Sequence, residues 1–457
     1  MKTDKKYWKL GRRELKTEIF DIDSDGSLLV REGNYQYRIM DLINHYKTPL
    51  EIVFPFVIEK SLLELTDTFN NCIKQVGYNG KFFYHYPMKV NQNKEFVLPI
   101  VSEGGNLEVA SVNELWLVKK LWEKGRFNPN LRVICNGPKA EPYLELIREL
   151  KAKGLQIIPV IEDRAEMKKL LSPEGRINGP LGIRVDVDLK IKSRWDKKIN
   201  RYGLTPAEIL EIGRIPRLKL LHYHIGSQVE NIDDLVRLVR EAMKLYSQVK
   251  INNPNLDIID IGGGFPANYE KKVSYPYSGV VKNIVNVVKE MSDRSGQPAP
   301  DIVVEWGRFL VAPAQITIFK VLHTKKIDNA VAKKWYVVDG SFINDLSDTW
   351  AIHQKWHITP VNNMLDRKLD PVWLAGSSCD SDDKYTAGGS YILLPEIDSM
   401  DKESQYIAVY DTGAYQDSLS SHHCLLSSPA KIIVQNGDIT VARRRETSEE
   451  IGRLFGW

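Results

Sequence analysis

The chain is poor in cysteine, has no long apolar run and carries little net charge. Its four cysteines, Cys72, Cys135, Cys379 and Cys424, are widely spaced over 457 residues and form no CxxC pair. That spacing indicates neither a zinc site nor a disulfide framework. No apolar run is long enough to span a bilayer. The charged start Met1-Lys2-Thr3-Asp4-Lys5-Lys6 lacks the apolar stretch of a secretory signal. A reducing cytoplasm is therefore the expected compartment. A formal net charge of +4 is too small to point to nucleic acid. These absences leave a soluble globular protein, with no nucleic-acid or membrane partner expected. Its length suggests two domains.

What is present is alternation. From about Thr48 to Arg308, apolar strand-like runs exchange with helix-period segments. Strands are expected at 50–54, 81–86, 107–110, 131–135, 155–161, 181–187, 218–224, 256–261 and 302–305. Helices are expected at 57–77, 91–101, 112–124, 141–153, 164–171, 232–249 and 280–292. Eight or nine such units predict a parallel sheet closed into a (β/α)8 barrel over residues 46–310. After Arg308 the pattern becomes short strands separated by turn residues, at 314–322, 335–338, 371–374, 391–394, 406–410, 431–435 and 439–443. Residues 311–457 are thus expected to form an all-β domain. Strands at 27–31 and 35–39, within residues 1–45, are expected to complete it.

The chemically notable residues fall where barrel strands end, the side on which such barrels build active sites. Lys89, in Pro87-Met88-Lys89-Val90, follows the aromatic run Phe82-Phe83-Tyr84-His85-Tyr86. A lysine held near apolar surroundings is a candidate for Schiff-base chemistry; the plain alternative is an amine reaching solvent. Glu108 lies in the next apolar segment. His224 leads into Gly226-Ser227, and Gly262-Gly263-Gly264 follows Asp260-Ile261. A triple glycine is equally a tight turn or a backbone cradle for phosphate. Glu305 and Arg308 close the series, as an ion pair or as separate functional groups. An amine, a stacking ring, a phosphate cradle, a carboxylate and a guanidinium are together what pyridoxal phosphate requires. In the second domain, Cys379 stands in the acidic loop Gly376-Ser377-Ser378-Cys379-Asp380-Ser381-Asp382-Asp383, and Tyr415 in Asp411-Thr412-Gly413-Ala414-Tyr415-Gln416.

Taken in order, Tyr-Pro-Met-Lys-Val-Asn, His-Tyr-His-Ile-Gly-Ser-Gln, Asp-Ile-Gly-Gly-Gly-Phe, Glu-x-Gly-Arg, Cys-Asp-Ser and Gly-Ala-Tyr-Gln resemble the fold type III pyridoxal-phosphate decarboxylases. This family acts on ornithine, diaminopimelate and arginine. The likeness runs from about Thr48 to Ala430. It is strongest to the biosynthetic arginine decarboxylases, through Ile134-Cys135-Asn136-Gly137, Leu346-Ser347-Asp348-Thr349-Trp350 and the Gln of Gly413-Ala414-Tyr415-Gln416. Two departures stand out. The chain is shorter than that branch, which carries an inserted helical bundle and a C-terminal extension. Trp306 replaces the usual small residue or proline before Gly307-Arg308.

The resemblance implies roles. Lys89 would carry the cofactor, His224 stack on its ring and Glu305 pair with the ring nitrogen. Ser227, Gly262, Gly263, Gly264, Arg308 and Tyr415 would hold the phosphate. Cys379, from the partner subunit of a homodimer with shared active sites, would return a proton to the substrate carbon. Assembly beyond the dimer is left open. Asp380 and Asp348 would bind the substrate's distal cation. The expected activity is conversion of L-arginine to agmatine and carbon dioxide, a step of polyamine (spermidine) biosynthesis. Ornithine, lysine, carboxynorspermidine and diaminopimelate are the alternatives, and a non-catalytic regulatory homologue is the alternative of a different class. Mg2+ is compatible with the family, but no motif here supports a site for it.

Overall fold

The computed structural model describes residues 1–125, 130–173, 175–187, 201–270, 276–397 and 404–457. They divide into two compact units. One comprises Glu59–Ala267 and Val273–Gly307; the other comprises Met1–Ile58, Asn268–Lys272 and Arg308–Trp457.

The first unit is a closed barrel of eight parallel strands: β1 Phe82–Pro87, β2 Asn106–Val109, β3 Arg132–Cys135, β4 Gln156–Ile161, β5 Leu181–Arg184, β6 Leu218–His222, β7 Ile258–Asp260 and β8 Asp301–Val304. They follow sequence order, and β8 closes on β1 through Ile302↔Phe82, Val303↔Phe83 and Val304↔Tyr84. Ile134, Ile158, Val160, Leu220, Ile258 and Val303 form one buried cluster with Phe83 packed against it. Strands covered on both faces read as continuous apolar runs, which is why they were visible in the sequence. The helices between them follow the expected positions, from Val112–Glu123 and Arg164–Leu171 to Ile232–Asn252. One helix has no counterpart in the sequence reading. Pro206–Ile212 is short, and its start is fixed by a capping box between Thr205 and Glu208.

The second unit is built on a ten-stranded sheet around the long strand Gln315–Lys326. Here the structure departs from expectation. Leu50–Val53, read as the start of the barrel alternation, pairs antiparallel with Gln315–Lys326 and parallel with Ala430–Gln435. All four of its residues are buried and three are apolar, so apart from Glu51 it reads like a barrel strand. Its removal from the count leaves the eight that close. The early strands join this unit as expected, but as a sheet of their own. Phe20–Ile22, Leu28–Glu32 and Tyr35–Arg38 make a separate three-stranded sheet rather than extending the large one. They belong to the same unit, where Leu28 N donates to Val361 O at 2.7 Å. Among the described residues no helix is long and apolar enough to cross a membrane.

Candidate active site

In the barrel unit, polar groups gather at the C-terminal ends of the strands. Lys89 lies in the single 3-10 turn Met88–Val90 that follows β1. Its ammonium acts favourably on two buried acids, Glu108 on β2 and Glu305 just after β8. Asn136, after β3, ties those acids together: its Nδ2 donates to Glu108 Oε1 at 2.8 Å and to Glu305 Oε1 at 3.3 Å. Behind Glu305, at the ends of β6 and β7, His222 Nδ1 lies 2.9 Å from Asp260 Oδ2 and 3.9 Å from Glu305 Oε1. The ligand atoms of His222, Asp260 and Glu305 all fall within 4.8 Å of one another, a spacing that a metal ion could also use.

Three carboxyls buried so close together cannot all ionise freely. Burial and Glu305 push Glu108 up to about 8. Burial and Asp260 push Glu305 up to about 7, and burial pushes Asp260 to about 7. Burial also lowers His222 to about 4, leaving a neutral imidazole near neutral pH. The cluster is thus a proton-holding network poised near pH 7.

The glycine loop after β7 is shaped by lack of space. A Cβ on Gly262 would stand 2.3 Å from Tyr223 O, and one on Gly263 would stand 2.9 Å from His224 Nε2. Gly262 and Gly264 also hold the left-handed backbone, with φ of 62° and 105°. His224 is half-buried and its Nδ1 accepts from Gly226 N at 3.1 Å, which turns the ring edge toward the loop. Ser227 is half-buried on the same stretch. The Gly262 amide already donates to Asp260 Oδ1 at 2.9 Å. A phosphate cradle on this loop therefore rests on Gly263 and Gly264. Trp306 points into packing: its ring is 2% exposed, stacks on Phe265 at 4.4 Å and leans on Phe69 at 5.7 Å.

In the other unit, Arg308 is buried. Its Nη1 donates to Tyr269 Oη and to Asp348 Oδ2, each at 2.7 Å. Its guanidinium lies 4.3 Å over the Tyr415 ring, and Tyr415 holds a left-handed backbone at φ 70°. Asp348 was expected to be a substrate carboxylate. In this structure it is 1% exposed and paired with Arg308. The acidic loop is folded around buried Asp383, whose Oδ1 accepts from Phe342 N at 2.6 Å and Oδ2 from Ser378 N at 3.1 Å. This leaves Cys379 exposed. Asp380 Oδ2 lies 3.2 Å from His423 Nε2, and its Oδ1 accepts from Asp382 N at 2.8 Å.

These residues fit pyridoxal phosphate on their own chemistry. Among the described residues, Glu305 Oε2 and Glu108 Oε2 are buried with no hydrogen-bond partner, an expensive state unless a donor is expected there. In the other unit, the buried Arg308 Nε has no acceptor among the described residues. Sequence reasoning missed the linking roles of Asn136, His222, Asp260 and Tyr269. Polar residues at the ends of otherwise apolar strands were the signal available for the first three.

An eight-stranded parallel barrel with a lysine after its first strand and a glycine loop after its seventh defines the class: a pyridoxal-phosphate-dependent barrel enzyme. Residues 62–312 match the family described as pyridoxal-dependent decarboxylase, pyridoxal binding domain, and the chain belongs to that family. It is 25% identical to the biosynthetic arginine decarboxylase of Phocaeicola vulgatus, over 92% of this chain and 86% of that protein. The same identity relates it to the biosynthetic arginine decarboxylase of Bacteroides thetaiotaomicron, over 90% and 84%. Among solved structures, the biosynthetic arginine decarboxylase SpeA from Campylobacter jejuni superposes with a TM-score of 0.81 at 22% identity, over 94% of this chain and 89% of that one. Diaminopimelate decarboxylase from M. jannaschii, in co-complex with L-lysine, gives 0.79 at 21% identity, over 96% and 97%.

Proposed function

We propose that the protein decarboxylates L-arginine to agmatine and carbon dioxide, as a cytoplasmic homodimer whose active sites are shared between subunits. Likeness to curated arginine decarboxylases over nine-tenths of the chain supports the substrate. The observation that carries the chemistry is Lys89 acting on two buried acids, Glu108 and Glu305.

Bound through Lys89, pyridoxal phosphate supplies an electron sink for the pair left behind when carbon dioxide departs. Glu305 would hold the charge of the ring nitrogen, with the Asn136, Asp260 and His222 contacts keeping its carboxyl oriented. His224 would cover a face of the ring. Ser227, Gly262, Gly263, Gly264, Arg308 and Tyr415 serve the phosphate, with Gly262 acting through the shape of the turn. Arg suits phosphate because its donors form a planar fork, and Asp348 with Tyr269 fixes the direction of that fork. Cys379 Sγ, contributed by the second copy, delivers a proton to the substrate carbon. Asp380 receives the distal guanidinium, taking over from its contact with His423.

Carbon dioxide release from a panel of arginine, ornithine, lysine, carboxynorspermidine and diaminopimelate tests this reading. Arginine is expected to turn over fastest. Turnover of another amino acid with none on arginine overturns the substrate assignment. Absence of turnover throughout, with pyridoxal phosphate bound, returns the chain to a non-catalytic role.

A further inference from the structure

The spacing of the cysteines in the sequence conceals a close pair. Cys379 Sγ lies 3.6 Å from Cys424 Sγ, and both residues are exposed. They come from separate segments of one unit: the acidic loop held by Asp383, and a turn at residues 422–425. That turn is built rather than slack. Asn344 Nδ2 donates to His423 O at 2.9 Å, Ser421 Oγ donates to Asn344 Oδ1 at 2.9 Å, and His422 Nε2 meets Glu446 Oε2 at 2.9 Å. Cys424 and Leu425 both hold left-handed backbone, with φ of 56° and 53°. Two successive non-glycine residues in that region store strain, which persists only where the surroundings impose it. The turn engages the functional loop twice, through His423 on Asp380 and Cys424 on Cys379. The other two cysteines are buried, and burial pushes the Cys135 thiol up to about 12.

We infer that Cys379 and Cys424 form a reversible intramolecular disulfide under peroxide, and that this bond switches the decarboxylase off. The off state rests on the proposed role of Cys379 as proton donor; formation of the bond does not. The Cys424 thiolate attacks one oxygen of hydrogen peroxide, breaking the O–O bond and giving a sulfenic acid and, after proton transfer, water. The Cys379 sulfur then attacks the Cys424 sulfur, and the sulfenic oxygen leaves as a second water. Two thiols are oxidised, one peroxide is reduced, and a dithiol reverses the bond by exchange. The hydrogen bond to Cys424 raises the Cys379 thiol, which favours its protonated form. Oxidation removes that proton and ties the loop carrying Asp380 to the turn.

The test treats the pyridoxal-phosphate-loaded protein with hydrogen peroxide, then counts free thiols, maps disulfide-linked peptides by mass spectrometry and measures carbon dioxide release. Two of the four thiols should disappear, in one peptide pair joining Cys379 to Cys424 within a chain. Carbon dioxide release should fall more than tenfold and return with dithiothreitol. Cys424→Ser should keep basal turnover and form no such peptide pair. Two outcomes overturn the inference: all four thiols surviving peroxide, or Cys379 joined to anything other than Cys424. If the bond forms and turnover persists, the disulfide stands, while the switch falls together with the proton-donor assignment.

Discussion

Arg308 and Asp348 form a buried ion pair, with Nη1 and Oδ2 2.7 Å apart and each residue no more than 5% exposed. Removing one partner of such a pair leaves an uncompensated charge, which costs about 3–5 kcal/mol. Asp348→Ala should therefore lower the thermal unfolding midpoint markedly and weaken pyridoxal-phosphate binding in a fluorescence titration. The KM for arginine, measured at saturating cofactor, should barely move. A raised KM with unchanged cofactor affinity would restore Asp348 to the substrate.

Glu305 accepts from Asn136 and lies beside His222. Glu305→Gln keeps the shape and removes the charge. It should lower kcat by roughly two to three orders of magnitude, the usual scale for one preorganised electrostatic group. Steady-state kinetics with full cofactor occupancy check this.

Stability of the cofactor-stripped protein should fall as pH rises. Folded Glu108 titrates at about 8, Glu305 and Asp260 at about 7, against ordinary values of 4.5 and 3.8. Between those limits the folded state keeps protons that the unfolded chain has released, so unfolding gains ground with rising pH. His222 works in the opposite sense, from 6.5 down through about 4, but it is one group against three. The unfolding midpoint should drop between pH 6.5 and 8.5, and Glu108→Gln should flatten the drop. A wild-type midpoint that rises over this range contradicts the argument.

Mixing Lys89→Ala with Cys379→Ala protein should restore activity. Each mixed dimer of a shared-site enzyme carries one intact site. Random exchange then recovers about a quarter of wild-type turnover, as expected for a two-fold assembly. Mixed protein no more active than either parent argues against sites shared between subunits.

Trp306 fills space between Phe69 and Phe265. Trp306→Ala should destabilise the protein by about 3–5 kcal/mol through the cavity it leaves, as read by denaturant unfolding. Arginine specificity, compared as kcat/KM across the amino-acid panel, should remain.

The barrel was legible because each of its strands is a short apolar run between turn residues. The same signature misplaced Leu50–Val53, since burial on both faces looks alike in either kind of sheet. Lys89 and the glycine loop were legible because lysine and triple glycine are unusual after apolar strands. Asn136, His222 and Asp260 were harder to read, because their link to Glu305 exists only once the barrel closes and brings the ends of β3, β6, β7 and β8 around one mouth. The pairing of Asp348 with Arg308 was not legible, because a carboxylate suits a cationic substrate as well as it suits Arg308 and burial is not written in the sequence. The Cys379–Cys424 contact depends on two loops meeting, which spacing along the chain does not encode.

The place of Leu50–Val53 also orders events during synthesis. A ribosome that has delivered Gly307 has made every barrel strand, yet both sheet neighbours of Leu50–Val53, Gln315–Lys326 and Ala430–Gln435, are still untranslated. An apolar strand with two open edges therefore waits through most of translation, the condition in which nascent chains aggregate or recruit chaperones. The barrel segment can collapse as it emerges, whereas the sheet closes only when Gln315–Lys326 and Ala430–Gln435 come back to Leu50–Val53.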